Sequence, residues 1–154
     1  METATDPLSP LERQLLTGAR RAVLATLAPD GRPRLVPITF AADFQHDVVY
    51  TPIDRKPKSV ADPRRLARVR DILARPQVNV LVDEWSEDWR ELRWARVDGA
   101  ATLLDPADPA DAGEHAHAVG LLRDRYAQYA EHRLEDRPII RIAVDRVVSW
   151  AAEP

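Results

Sequence analysis

The 154-residue sequence predicts an α+β antiparallel barrel of six strands with flanking helices, and three observations carry the prediction. Short apolar stretches of alternating pattern recur with hairpin-length spacings between them. Helix signals fall at the N-terminal end, after the third strand and before the last, rather than between every pair of strands as in a βαβ array. No GxGxxG or Walker pattern occurs, which disfavours a Rossmann or P-loop fold and the nucleotides those folds bind.

The elements follow in order. Ser9-Pro10-Leu11-Glu12 has the form of a capping box with proline at the first helical position, predicting a helix from Pro10 to about Arg20 that closes one end of the barrel. Ala22 to Ala28 reads as a strand, and Pro29-Asp30-Gly31-Arg32 as a hairpin turn leading into a second strand, Pro33 to Ala41. On that strand Arg34, Val36, Ile38 and Phe40 share a face, while Pro37 cannot donate to a ladder and so marks a sheet edge or a bulge. A simple edge strand and an edge left open for a ligand are both compatible with it.

Val48 to Thr51 is the third strand. Asp62-Pro63 predicts a helix through about Ala74, stopped by Pro76. Gln77 to Asp83 alternates as a fourth strand, and Glu84 to Glu91 is an acidic, tryptophan-bearing loop. Leu92 to Leu104 is a long strand with Trp94 and Arg96 on one face and Gly99 as a bulge. Asp105 to about Tyr129 is expected to be helical, and Pro138 to Trp150 is the last strand. Residues 1–10 are expected to form a tail and residues 11–150 one barrel domain.

Composition narrows the chemistry. The chain has no cysteine, which removes disulfides, thiolate nucleophiles and Cys-ligated metal clusters. The four serines lie outside any GxSxG context. His115 and His117 are two apart on a helix and face different ways, and His46 and His132 stand alone in the sequence, so no metal site is expected. With no signal-like start and no apolar stretch of membrane-spanning length, a cytoplasmic location without membrane contact is expected.

Charge is the remaining signal. The net charge is −3, yet the segment from Asp54 to Arg75 holds eight basic residues against three acidic ones. One concentrated basic segment in an acidic chain suits a compact anion better than duplex nucleic acid. Within it, Arg55-Lys56-Pro57-Lys58-Ser59 combines three cations and a hydroxyl ahead of a helix, and both lysines of the chain lie here. Such a place suits a phosphate, and a solvated charged loop is the alternative. Arg64, Arg65 and Arg68 would extend the positive potential or form the wet face of the helix. Trp94 beside Arg96 offers an aromatic plane and a cation to a planar ligand, or belongs to a core or subunit interface. With no reactive side chain in a catalytic context, a bound cofactor would carry any chemistry.

The succession AVLATLAPDGRPRLVPITF, VVYTPIDRKPKS, a basic helix and VNVLVDEWSEDWRELRWARVDGAATLL resembles the pyridoxamine 5′-phosphate oxidase-like split β-barrel proteins, the FMN-binding split barrels. DRKPKS and DEWSEDWRELRWARVDG resemble the branch that uses the deazaflavin coenzyme F420. The resemblance implies a homodimer with cofactor grooves between subunits. It implies that Arg55, Lys56, Lys58 and Ser59 hold the cofactor phosphate, that Val36, Pro37 and Ile38 run beside the ring, and that Trp94 and Arg96 line the groove from the partner subunit. Arg64, Arg65 and Arg68 would meet the oligoglutamate tail, although Asp71 stands near where related sequences often carry asparagine. The implied activity is hydride transfer between coenzyme F420 and a small organic substrate. An FMN-dependent enzyme of the same fold and a non-catalytic F420 or flavin carrier are the alternatives.

Overall fold

The computed structural model describes residues 7–53, 62 and 65–153. Helix α1 (Pro10–Gly18) starts as its sequence dictates: Ser9 Oγ accepts from the Glu12 amide at 3.2 Å, and Glu12 Oε1 accepts from the Ser9 amide at 3.0 Å. This reciprocal arrangement satisfies two of the donors that a helix start leaves unpaired. Strands β1 (Ala22–Leu27) and β2 (Pro33–Ile38) form the first hairpin, with Gly31 at φ 86° in its turn. Strands β3 (Ala41–Asp43) and β4 (Val48–Pro52) form the second. Helix α2 (Ala67–Ala74), strands β5 (Gln77–Glu84) and β6 (Arg93–Leu104), helix α3 (Ala112–Arg125) and strand β7 (Ile139–Ala151) complete the order.

The strands form one antiparallel sheet in the order β2-β1-β5-β6-β7-β4-β3. Leu24 of β1, Ile38 of β2, Val49 of β4, Val80 of β5, Val97 of β6 and Ile142 of β7 nevertheless share one buried cluster. Strands far apart in the sheet order meet on a common core only if the sheet curls, which makes it a split barrel. Leu15 and Leu16 of α1 and Val69 and Ile72 of α2 join that core. A second cluster lies under α3, where Ala118, Val119 and Leu122 pack on Ala41, Val48 and Tyr50.

Three details differ from the sequence-based expectation. The sheet has seven strands, not six, because the stretch expected as one strand breaks at Thr39-Phe40 into β2 and β3. The cause is a distant side chain: the Tyr126 hydroxyl accepts the Phe40 amide at 3.1 Å and lies 3.1 Å from the Phe40 carbonyl oxygen, so both backbone groups are taken out of the ladder. Helix α2 begins at Ala67 with Leu66 at its N-cap, later than Asp62-Pro63 implies. Helix α3 begins at Ala112: Asp105 instead accepts the Ala107 amide at 2.9 Å and Asp108 the Ala110 amide at 2.9 Å, two local turns that compete with helix.

Gly99 lies at a bulge. Asp98 pairs with Arg146 and Gly99 with Val144, leaving Asp145 of β7 as the extra residue. Among the described residues no helix is long and apolar enough to cross a membrane.

Candidate functional site: the outer sheet face

Period-two alternation gives the middle of the sheet two faces. On β5 the even-numbered Val78, Val80 and Val82 are buried, and on β6 so are Ala95 and Val97, which turns Leu81, Trp94 and Arg96 outward. The register continues that outer face across five strands. Leu35 opposes Ala25, Pro37 opposes Val23, Val23 opposes Leu81, Leu81 opposes Arg96, Trp94 opposes Trp150 and Arg96 opposes Val148. Leu35 is 66% exposed, Trp150 46% and Leu81 39%. Apolar groups open to solvent thus recur on five of the seven strands, interrupted by Arg96 and flanked by the outward Asn79, Asp83 and Asp98, and exposed apolar patches are commonly binding surfaces.

Arg96 is oriented within this face. Its Nε donates to Asp98 Oδ1 at 2.7 Å and its Nη2 to Asp98 Oδ2 at 3.3 Å, while Arg146 Nε donates to Oδ2 at 2.7 Å and Asn79 Nδ2 to Oδ1 at 2.7 Å. The Arg96 hydrogen bond, helped by Arg146 and Asn79 and opposed by partial burial, pulls the Asp98 carboxyl down to about 2. Two of the five N–H donors of the Arg96 fork are thus engaged, and three remain for a ligand. Beside this network an open cleft of about 430 Å³ is lined by residues that include Thr26, Leu27, Pro33, Asn79, Asp98 and Asp145.

Strand β2 lies at one end of the sheet order, as Pro37 predicts. Pro33 and Pro37 share a parity, opposing Leu27 and Val23. Since neither can donate to the ladder, that parity is the one whose backbone groups face away from β1. The same alternation turns the amide and carbonyl of Leu35 to the free edge and commits those of Val36 and Ile38 to β1. Of the predicted ring-side residues, Pro37 therefore offers an outward carbonyl, Val36 is half-buried and Ile38 belongs to the core. Leu35 is the edge residue that sequence reasoning missed. The spacing of the two prolines was the signal for it.

Asp71 has a different role from a tail contact. It is buried, accepts Thr26 Oγ1 at 2.7 Å and Arg34 Nε at 2.8 Å, and so ties α2 to β1 and β2. Replacing it with alanine is expected to lower unfolding free energy by about 2 kcal/mol, because the Thr26 hydroxyl is then buried without a partner. Asp71→Asn, which keeps an acceptor, is expected to lose less. Urea unfolding midpoints check the order.

Arg55, Lys56, Lys58, Ser59 and Arg64 lie outside the described residues. Arg65 is exposed, and Arg68 is half-buried at the start of α2 and has a partner. Of the described residues that flank the lysines in sequence, Ile53, directly after β4, and Val69 and Ile72 of α2 are buried.

The structure also unites histidines that the sequence keeps apart. His46 Nδ1 and His117 Nε2 each lie 2.8 Å from Asp43 Oδ2, so His46 is not isolated. Burial alone would raise the Asp43 carboxyl. Hydrogen bonds from His117, His46 and the Gln45 amide outweigh it and hold the carboxyl below its ordinary range. His115 points elsewhere, with its Nε2 2.6 Å from the Arg137 carbonyl oxygen.

Comparison with known proteins places this architecture. A conserved hypothetical protein from Mycobacterium tuberculosis superposes with a TM-score of 0.70 at 19% identity, over 98% of this chain and 89% of that one. An FAD-binding protein from Mesorhizobium loti matches with a TM-score of 0.62 at 27% identity, covering 92% of this chain and 94% of its own. An F420 reductase matches with a TM-score of 0.59 at 23% identity, over 88% and 94%. Among curated proteins no sequence matches. The family model described as pyridoxamine 5′-phosphate oxidase matches residues 8–151, nearly every residue of the barrel and its helices, and the chain belongs to that family.

Proposed function

We propose that the chain works in the cytoplasm as a homodimeric oxidoreductase that binds coenzyme F420 in a groove between its two copies and exchanges a hydride with a small organic substrate. The observation that carries this reading is the face from β2 to β7 on which the exposed Leu35, Val23, Leu81 and Trp150 lie with Trp94 and Arg96. A second copy of the same face would cover it in a two-fold interface. The family match and the likeness to an F420 reductase and an FAD-binding protein support a flavin-type ligand.

The donor set fits such a group. A planar, polar-edged ring needs an apolar wall and edge-on hydrogen-bond partners, and the described residues provide the outward groups of Leu35 and Pro37 and the remaining Arg96 donors. Arg55, Lys56, Lys58 and Ser59 would hold the phosphate by charge-assisted hydrogen bonds, and Arg64, Arg65 and Arg68 would attract an anionic tail. Bound there, the deazaflavin supplies the hydride-carrying carbon. The protein's own part would be positioning: the sheet face and a covering partner would exclude water and orient substrate against the ring.

Titrating purified protein with coenzyme F420, followed by its fluorescence, is the direct test. Saturable binding is expected, and Lys58→Ala should weaken it by about 10- to 150-fold, the equivalent of about 1.5–3 kcal/mol. Protein that purifies yellow with FMN and ignores the deazaflavin would overturn the choice of cofactor. Binding of F420 without turnover across a panel of enones, quinones and tetrapyrroles would overturn the enzymatic reading in favour of a carrier.

A further inference from the structure

The turn between β3 and β4 lies at the opposite end of β4 from the basic segment, and it carries a group of side chains that the cofactor reading does not use. Asp43 ends β3 and is buried, with 8% of its surface exposed. Its Oδ1 accepts the amides of Gln45 at 3.0 Å and His46 at 3.3 Å, which fixes the carboxylate plane and leaves Oδ2 for other partners. Those partners are His46 Nδ1, from the same turn, and His117 Nε2, from α3 and 74 residues further along the chain. One ligand atom from each of the three residues lies within 4.8 Å of the other two.

We propose that Asp43, His46 and His117 form a binding site for a divalent cation of the zinc(II) class, which clips α3 to the β3–β4 hairpin. Two imidazole nitrogens and one carboxylate oxygen are a donor set for zinc or its transition-metal neighbours, and a poor one for magnesium or calcium, which take oxygen ligands. Zinc with bonds of about 2.0–2.1 Å to each ligand requires donor atoms about 3.3 Å apart in a tetrahedron. The carboxylate-to-imidazole spacings of 2.8 Å need to open by about half an ångström, and both histidine rings are exposed enough to turn. Each imidazole would exchange its N–H through solvent for the tautomer protonated on the other ring nitrogen, which leaves the nitrogen beside Asp43 its lone pair for the metal and the ring neutral.

The surroundings hold the ligands in place from two sides. The Asp47 carbonyl oxygen accepts the Val144 amide of β7 at 2.9 Å, pinning the turn that bears His46. The Tyr50 ring meets the His117 ring edge-on at 6.3 Å, and its hydroxyl donates to Glu114 Oε1 at 3.0 Å, which fixes the helix that bears His117. Such outer contacts orient metal ligands before the ion arrives. The exposure of both histidines leaves room for water to complete the coordination.

The test uses full-length protein without a histidine tag, stripped with a chelator and titrated with zinc(II) by calorimetry and with cobalt(II) by visible absorption. One equivalent should bind with micromolar or tighter affinity. His117→Ala and His46→Ala should each weaken binding at least about tenfold, whereas His132→Ala should leave it unchanged. At a hundredfold excess over Kd, zinc should raise the melting midpoint of the wild-type protein by about 5–10 °C and leave that of the double His46→Ala/His117→Ala variant unmoved. No saturable binding at about 100 µM zinc, or equal binding by the double variant, would overturn the site. A fall in stability of the variants together with no response of the wild type to zinc would show that the cluster is a hydrogen-bonded clip alone, and would overturn it equally.

Discussion

Gly99→Ala is expected to cost about 3 kcal/mol of stability and to lower the melting midpoint by about 6–12 °C. A Cβ at position 99 would lie 2.4 Å from the Ala143 carbonyl oxygen and 2.8 Å from Ile142 Cγ2. Neither neighbour can give way cheaply. Ala143 is backbone in the β6–β7 ladder and also pairs with Val48 of β4, and Ile142 is fully buried in the core. The bulge at this point adds Asp145 to β7 and bends the strand over β4, so pushing β6 away would disturb the curl that brings the two ends of the sheet onto one core. Differential scanning calorimetry of the variant reads the effect directly. A midpoint within about 2 °C of wild type would mean that the two strands separate without penalty.

Gly99 is also a place where the sequence was informative, and the reason is steric. Local rules succeed where the controlling contact is within one turn or one strand. The capping box at Ser9 and Glu12, the turn at Gly31, the edge strand marked by Pro37 and the bulge at Gly99 each follow from the covalent geometry of a few neighbouring residues. The same rules failed where a distant group decided the outcome. Nothing near Phe40 announces a strand break, because the hydroxyl that takes its amide comes from Tyr126. Asp105-Pro106 has the form of a helix start, yet its carboxylate is spent on a local turn and α3 opens seven residues later.

The candidate site divides the same way. Trp94 and Arg96 share a face by simple alternation, and their outward direction follows from the buried Ala95 and Val97. The contact of Arg96 with Asp98, two residues on along β6, is local in the same way. That Asp71 spends its charge on Arg34 and Thr26, and that His46 meets His117 at Asp43, depend on strand order and helix docking. A sequence places such residues tens of positions apart and carries no local trace of their meeting. Spacing along α3 sends His115 and His117 to different partners, the Arg137 carbonyl oxygen and Asp43. It does not reach His46, which arrives from the hairpin.

Val23→Asp is expected to raise the dimer dissociation constant more than a hundredfold. Val23 lies on the outer face, opposed by Pro37 on one side and Leu81 on the other, so a carboxylate there has no directly paired cation. In a two-fold interface the change is made twice, and each unpaired charge removed from water costs several kcal/mol, on the order of 3–5. The isolated subunit is affected little, because Val23 is 36% exposed and outside the buried core. Sedimentation velocity should therefore show a dimer for the wild type and a monomer with unchanged far-ultraviolet circular dichroism for the variant. Cofactor affinity should fall with dimerisation even though position 23 is remote in sequence from every basic residue of the 55–68 segment, since a groove between subunits exists only when both are present. A monomeric wild-type protein that still binds F420 would sink the two-subunit site, and so would a dimer indifferent to the charge at position 23. The apolar face would then have to be covered by something other than a second copy of the chain.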